Sequence, residues 1–345
     1  MPRLALASAS LLLCLGAACG ARDPSAEQDS GPQPDAGADA RVDAAPDDVF
    51  TPPPADGGTP EEPARIYAHT DTHLFQADPT VLPLTLTEVG AFDCIGGEGQ
   101  ALAMTDLALD QDANLFGISS RAVHPLEIQD ATVHCVDTWP LPEGARFYGL
   151  SFVPAGVLQD GEMLVAANTA GELWSLEAMT GAATLRGTFG VVPSDDGRGH
   201  SYDSGNVGQA WELSGDLVFL ANDGDPVGFA TVRDCPNPPD TTGCNPVDTL
   251  IEIDVGLLSS GSGSAVTRRV IGMVVKEAGC DDPSPDAGYG SLLGIAAWND
   301  SVYGFSRAGD LVGISIASGE ACLIEHHADA RFAGAGVTTL APVND

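Results

Sequence analysis

"LVAANTAGELWSLEAMTGAATLRG" (164–187) and "VYGFSRAGDLVGISIASGEACLIE" (302–325) are near-copies of one another. Each is built from short apolar runs with β-branched and aromatic residues, broken by small turns such as "MTG" (179–181) and "ASG" (317–319). Runs of this kind, bounded by Gly, Asp, Asn and Ser, read as β-strands joined by tight turns. Working outward, the pattern recurs in four cycles. The first is "TDLALD", "NLFGIS", "PLEIQ" and "ATVHCV" in 105–136; the second is "GLSFVP", "EMLVAAN", "ELWSLEA" and "AATLRGTF" in 149–189. The third is "GQAWEL", "DLVFLAN", "TLIEIDV" and "AVTRRVIG" in 208–272, and the fourth is "LGIAAWN", "SVYGFSR", "DLVGISI" and "EACLIEH" in 293–326. Four strands per unit, at a basic period of roughly 40–45 residues, predicts propeller blades.

The ends of this region complete a fifth unit. "RIYAHT", "HLFQAD" and "LTLTEVG" (65–90) supply three strands without an innermost one, and "GVTTLAP" (336–342) supplies an innermost strand alone. The expected fold is all-β: a five-bladed β-propeller over 65–345, each blade four-stranded, closed by N- and C-terminal strands in one blade. Such closure removes a free sheet edge. The competing expectation is a six- or seven-bladed ring with an irregular blade hidden in 191–291.

On that ring Cys94 follows the first unit and Cys135 lies in the outermost strand of the second. Cys280 and Cys322 take the same two places around the last unit. The expected disulfides are therefore Cys94–Cys135 and Cys280–Cys322, with Cys235 and Cys244 closing a small loop around "PNPPDTTG". A zinc site at Cys235 and Cys244 is the sharper alternative, but no second paired-cysteine motif accompanies them.

Links between blades emerge on one face together with the loops between second and third strands. Three long insertions, 191–206, 223–248 and 276–291, are expected there. They bring Asp195, Asp196, His200, Asp203, Asp281, Asp282 and Asp286. Long loops on a rigid scaffold are where binding concentrates, although solvated acidic loops that bind nothing would look the same. By alignment the innermost strands begin at Asp106, Gly149, Gln209, Gly294 and Thr339. The ligand-binding candidates are thus Asp106, Gln209, His200 and Asp203 at one mouth, with a divalent cation such as calcium as the fitting small partner.

Other motifs fail their chemistry. "DQDANL" (110–115) puts Leu115 where a calcium loop needs Gly and Arg121 where it needs Glu, so it reads as a polar turn. "HTDTH" (69–73) lacks the Glu and the helix of a metalloprotease. His326 and His327 are adjacent and should point to opposite faces of a strand. A propeller glycosidase needs two placed carboxylates and the aligned positions supply one.

The chain opens "MPRLALASASLLLCLGAACGARD": one Arg, an apolar run, then small residues, the layout of a secretory leader too short to span a membrane. "LGAAC" (15–19) resembles a bacterial lipobox, with Gly16 where Leu is usual, making 1–18 a signal peptide and Cys19 a lipidation site. Plain secretion after cleavage is the alternative. Six cysteines remain beyond Cys19, an even set suited to an oxidising compartment. Residues 19–64 are dominated by Pro, Gly, Ala and Asp and read as a disordered acidic tether. With 49 acidic against 14 basic side chains, the formal net charge is −35. Such a surface repels phosphate backbones and anionic headgroups, so nucleic acid is excluded and membrane contact is expected only through the lipid.

Leader, tether and repeats together resemble the β-propeller lipoproteins of large-genome, predatory Gram-negative bacteria. "LFQADPTVLPLT" (74–85), "GLSFVPAGVLQDGEMLVAA" (149–167) and "GAGVTTLAPV" (334–343) carry the likeness. The resemblance implies fold and outer-membrane or periplasmic location, and it has no catalytic residue to carry over. The expected function is a non-catalytic, surface-tethered binding or scaffold module, monomeric, with an unknown protein or small-molecule ligand and no cofactor. The rival expectation is a cation-dependent, lactonase-like hydrolase with its site at Asp106.

Overall fold

The computed structural model describes residues 64–177, 180–236, 242–280 and 288–343. The leader, the tether and the Cys19 assignment lie outside them, as do Asp281, Asp282 and Asp286. In chain order the first strands are β1 (Ile66–Thr70), β2 (His73–Ala77) and β3 (Thr87–Phe92). Next come β4 (Met104–Leu109), β5 (Leu115–Ser119), β6 (Ala122–Gln129), β7 (Thr132–Cys135) and the short β8 (Trp139–Pro140). The second repeat gives β9 (Gly149–Val153), β10 (Met163–Ala167), β11 (Glu172–Leu176) and β12 (Ala183–Thr188). The third gives β13 (Glu212–Leu220), β14 (Val227–Arg233), β15 (Thr249–Ile253), the one-and-a-half-turn helix α1 (Val255–Ser260) and β16 (Thr267–Met273). The last are β17 (Leu292–Trp298), β18 (Ser301–Ser306), β19 (Asp310–Ser315), β20 (Ala321–His326) and β21 (Phe332–Val337).

These strands form four-stranded antiparallel meanders: β9 to β12, β13 to β16, and β17 to β20. The remaining strands run β21-β1-β2-β3 and β7-β6-β5-β4, joined where β3 pairs in parallel with β7 through Ala91↔Thr132 and Phe92↔Val133. Strand β4 lies against β9, β9 against β13, β13 against β17, β17 against β21, and β21 returns to β4. The chain is thus an all-β, propeller-like circuit. No helix among the described residues is long and apolar enough to cross a membrane.

Burial follows radial position. All residues of β9, β13 and β21 are buried, because these inner strands have neighbours on both faces. They therefore lack the alternation of half-buried strands. Outer strands such as β16 expose Arg268 and Arg269, which pair with Glu252 on β15. The core lies between sheets, where Phe305, Phe332 and Phe75 meet edge to face.

Closure joins the two ends, with Ile66 opposite Val337 and Ala68 opposite Ala335. The closing strand ends at Val337, earlier than "GVTTLAP" suggests. A larger correction concerns 208–248. "DLVFLAN" is not a second strand: it continues β13, and the true second strand, "VGFATVR", lies inside the stretch expected to be loop. Among the described residues, 191–291 thus contributes one sheet and its links.

The three expected disulfides are present. Cys94 and Cys135 have Cα atoms 5.8 Å apart, Cys235 and Cys244 are at 4.1 Å, and Cys280 and Cys322 are at 5.7 Å. Two of them pin the segment after one sheet to the outermost strand of the next. Bridges of this kind contribute about 2–4 kcal/mol each.

Candidate functional site

Three inner strands break register near one end. The pairing slips between Met104 and Asp106 in β4, between Leu213 and Leu217 in β13, and between Leu292 and Gly294 in β17. Bulges re-aim side chains, and here they turn two carboxyls onto the ring's own backbone. Asp106 is 0% exposed, and its Oδ2 accepts from the amide of Leu150, with the Leu107 amide donating as well. Asp216, also 0% exposed, accepts from Leu217 N (2.6 Å), Ile295 N (2.7 Å) and Ala335 N. The Thr231 hydroxyl fills the gap left by the β13 bulge: it accepts from Asp216 N and donates to Leu292 O. The Asp106 and Asp216 carboxyls lie against each other. Burial, then the neighbouring carboxyl, pushes Asp106 well above the usual carboxylate range, and burial pushes Asp216 up to about 7.

His69 on β1 faces the same centre. Its ring is fully buried, Nδ1–H donates to Thr70 O (2.8 Å), and burial pulls its pKa down to about 4, so it is neutral. Gly334 makes room for both groups. A Cβ there would lie 2.2 Å from Asp106 Oδ1 and 2.3 Å from His69 Nε2. Farther out, Arg307 clasps Asp71 through two hydrogen bonds of 2.7 and 3.0 Å.

A second polar cluster lies at one end of the β13–β16 sheet. Glu212 and Arg233 are cross-strand partners, and the β14–β15 register sets Asp248 beside Arg233. Asp248 accepts from Ser214 Oγ (2.6 Å) and Leu292 N (2.7 Å), while Arg233 Nη2 donates to Ser214 O (3.0 Å). Asp234 Oδ2 accepts from Asn206 Nδ2 (3.2 Å), tying the 191–211 link to this sheet. Burial raises the pKa of both Asp234 and Asp248. Glu212 Oε2 lies 2.8 Å from Cys235 Sγ, a sulfur committed to a disulfide rather than free as a thiolate for zinc.

The candidates named from sequence are scattered. Asp106 sits at the centre as aligned. Gln209 is exposed in a turn ahead of β13, and the inner-strand place expected for it belongs to Asp216. Thr339 lies beyond β21, where its hydroxyl donates to Glu162 Oε1 (2.5 Å). His200 Nδ1 pairs with Asp196 Oδ2 at 2.8 Å, and Asp196 also accepts from Met273 N on β16, an outermost strand. Burial opposes ionisation of Asp196, but the amides of Arg198 and His200 and the His200 ring outweigh it and hold its pKa below the ordinary value. Asp203 is exposed and caps a turn by accepting from Gly205 N (2.7 Å). The acidic link is thus anchored at the rim, on a different strand layer from Asp106. In "HTDTH", His69 turns inward while His73 bonds Thr72 Oγ1, and in "DQDANL" Asp110 accepts from the amides of Asp112 and Asn114 as a polar turn.

Asp216 was missed. Its signal was the polar "SGD" inside an otherwise apolar run, which a turn explains as readily as a bulge.

No protein-family model and no curated protein matches the chain. Among solved structures it is similar to a symmetrical protein from work on de novo evolutionary emergence under folding constraints (14% identity, 82% of this chain and 100% of that one, TM-score 0.38). It is also similar to a protein of unknown function from Bacteroides caccae (11%, 80% and 98%, TM-score 0.36) and to U3-55K (11%, 80% and 82%, TM-score 0.38). Overlaps this loose carry no argument, and the fold rests on the strand order itself.

Proposed function

We propose that the chain is an exported, lipid-tethered, five-bladed β-propeller of the lipoprotein group it resembles, acting as a non-catalytic binding or scaffold module. One observation carries the reading: the central carboxyls are spent on the ring's own amides, whereas Asp195 and Asp203 in the long acidic link are exposed. The hydrolase alternative asks for an accessible carboxylate at the mouth, and Asp106 is fully buried with Oδ2 already accepting. The disulfides suit an oxidising, exported setting.

The ligand is a protein or small molecule that is cationic or bridged by a divalent cation, because clustered carboxylates concentrate cations and hard oxygen donors suit calcium. Calorimetric titration of the folded domain with calcium should show saturable binding that weakens by roughly tenfold in the Asp195→Asn, Asp203→Asn double variant, the loss of about 1.4 kcal/mol. Equal binding by both proteins would move the site elsewhere. For the anchor, replacing Cys19 by Ser should shift the protein from membrane to soluble fractions. Unchanged fractionation, with no acyl mass on the native N-terminus, would reject lipidation.

A further inference from the structure

Two fully buried carboxyls in contact repel each other unless one carries a proton. The amides around Asp106 and Asp216 give that proton a wider consequence. Leu107 and Leu150 donate to Asp106; Leu217, Ile295 and Ala335 donate to Asp216. These five residues lie on β4, β9, β13, β17 and β21, one from each inner strand. A hydrogen bond between the carboxyls would therefore link two clusters of amides into a single tie that touches every strand of the inner circuit.

We propose that a proton shared by Asp106 and Asp216 completes this tie, so that the ring's central closure is loosened by alkaline pH. Other charged groups do not replace it. From β1, His69 is neutral and presents Nε2, an acceptor, toward Asp106 Oδ1 across Gly334. Asp71 and Arg307 beyond it neutralise each other. Strands β9, β17 and β21 meet the pair with backbone N–H groups.

The direction of the effect follows from linkage. Both carboxyls are raised in the folded chain, so their contribution is present below the ordinary carboxylate range, near pH 4, and is lost as pH rises. The loss proceeds through about 7 for Asp216, and the raised Asp106 adds to it. His69 acts oppositely: lowered to about 4, its contribution is present above about pH 6.5 and lost as pH falls. A scan from about pH 6 to 9 brackets the loss through about 7, and the difference between wild type and Asp106→Asn isolates it from His69, Asp234 and Asp248, which both proteins share.

The test is thermal unfolding of the mature, disulfide-intact chain across that window, with Asp106→Asn alongside. The wild-type Tm should fall by about 5 °C relative to that of the variant. In Asp106→Asn the amide keeps an oxygen for Leu150 N and offers an N–H to Asp216, so the variant should lack this part of the fall. Infrared spectra at neutral pH should show the carbonyl stretch of a protonated carboxyl in wild type, weakened in Asp106→Asn. Parallel wild-type and variant profiles, a protonated-carboxyl band as strong in the variant as in wild type, or no such band in wild type would each overturn the proposal. If the variant does not fold, the wild-type spectrum still decides, since the absence of a protonated-carboxyl band there would overturn the proposal.

Discussion

Asp216→Ala should destabilise the domain by about 4 kcal/mol, since a buried donor left without a partner costs about 1–3 kcal/mol and this change strands several. The amides of Leu217, Ile295 and Ala335 lose their acceptor, and Asp106 loses the group that lies against its carboxyl. Against a typical total of about 5–15 kcal/mol, that is a large fraction. Urea unfolding monitored through the buried Trp211 measures it. A loss below about 1 kcal/mol would mean that water or a backbone shift serves those amides instead.

Gly334→Ala should destabilise by about 3 kcal/mol through overpacking. The added carbon would stand 2.2 Å from Asp106 Oδ1, 2.3 Å from His69 Nε2 and 2.8 Å from Asp106 Cα. The last is backbone, so a rotamer change cannot relieve it. Gly161→Ala is the matched control: nothing lies within 4 Å of its added carbon. It should stay within about 0.5 kcal/mol of wild type. Equal effects at the two positions, by the same urea measurement, would show that the ring centre is looser than these distances.

Much of the architecture was legible because repeats announce themselves through turns. "MTG" and "ASG" marked hairpins that are present, with Gly181 and Gly319 at φ 68° and 78°. The cysteine pairs were readable because topologically equal places recur around a ring. What escaped was local and had a physical cause. In β13, burial on both faces erased alternation, and the Ser214–Gly215–Asp216 bulge imitated a turn, so one nine-residue strand looked like two. Strand β14 was hidden between "DGDP" and "DCPNPP", punctuation that resembles loop. The central site suffered most. Asp106 was found by alignment, but its partner was displaced by the same misread bulge, and His69 belongs to a neighbouring strand whose inward turn no local pattern reveals.

The pairing of β1 with β21 also sets an order of events in time. Ile66 and Val337 stand at opposite ends of the folded sequence, so the circuit stays open until nearly all of the chain is available. Pairings this distant are slow to form, because the intervening chain must be gathered before the contact rewards it. The other three meanders can assemble from consecutive strands, as can β4 to β7. They would wait as separate hairpin stacks for the last strand to seat. A chain crossing a membrane N-terminus first would thus remain threadable through most of its passage, and would become a closed body only after its final strand had arrived.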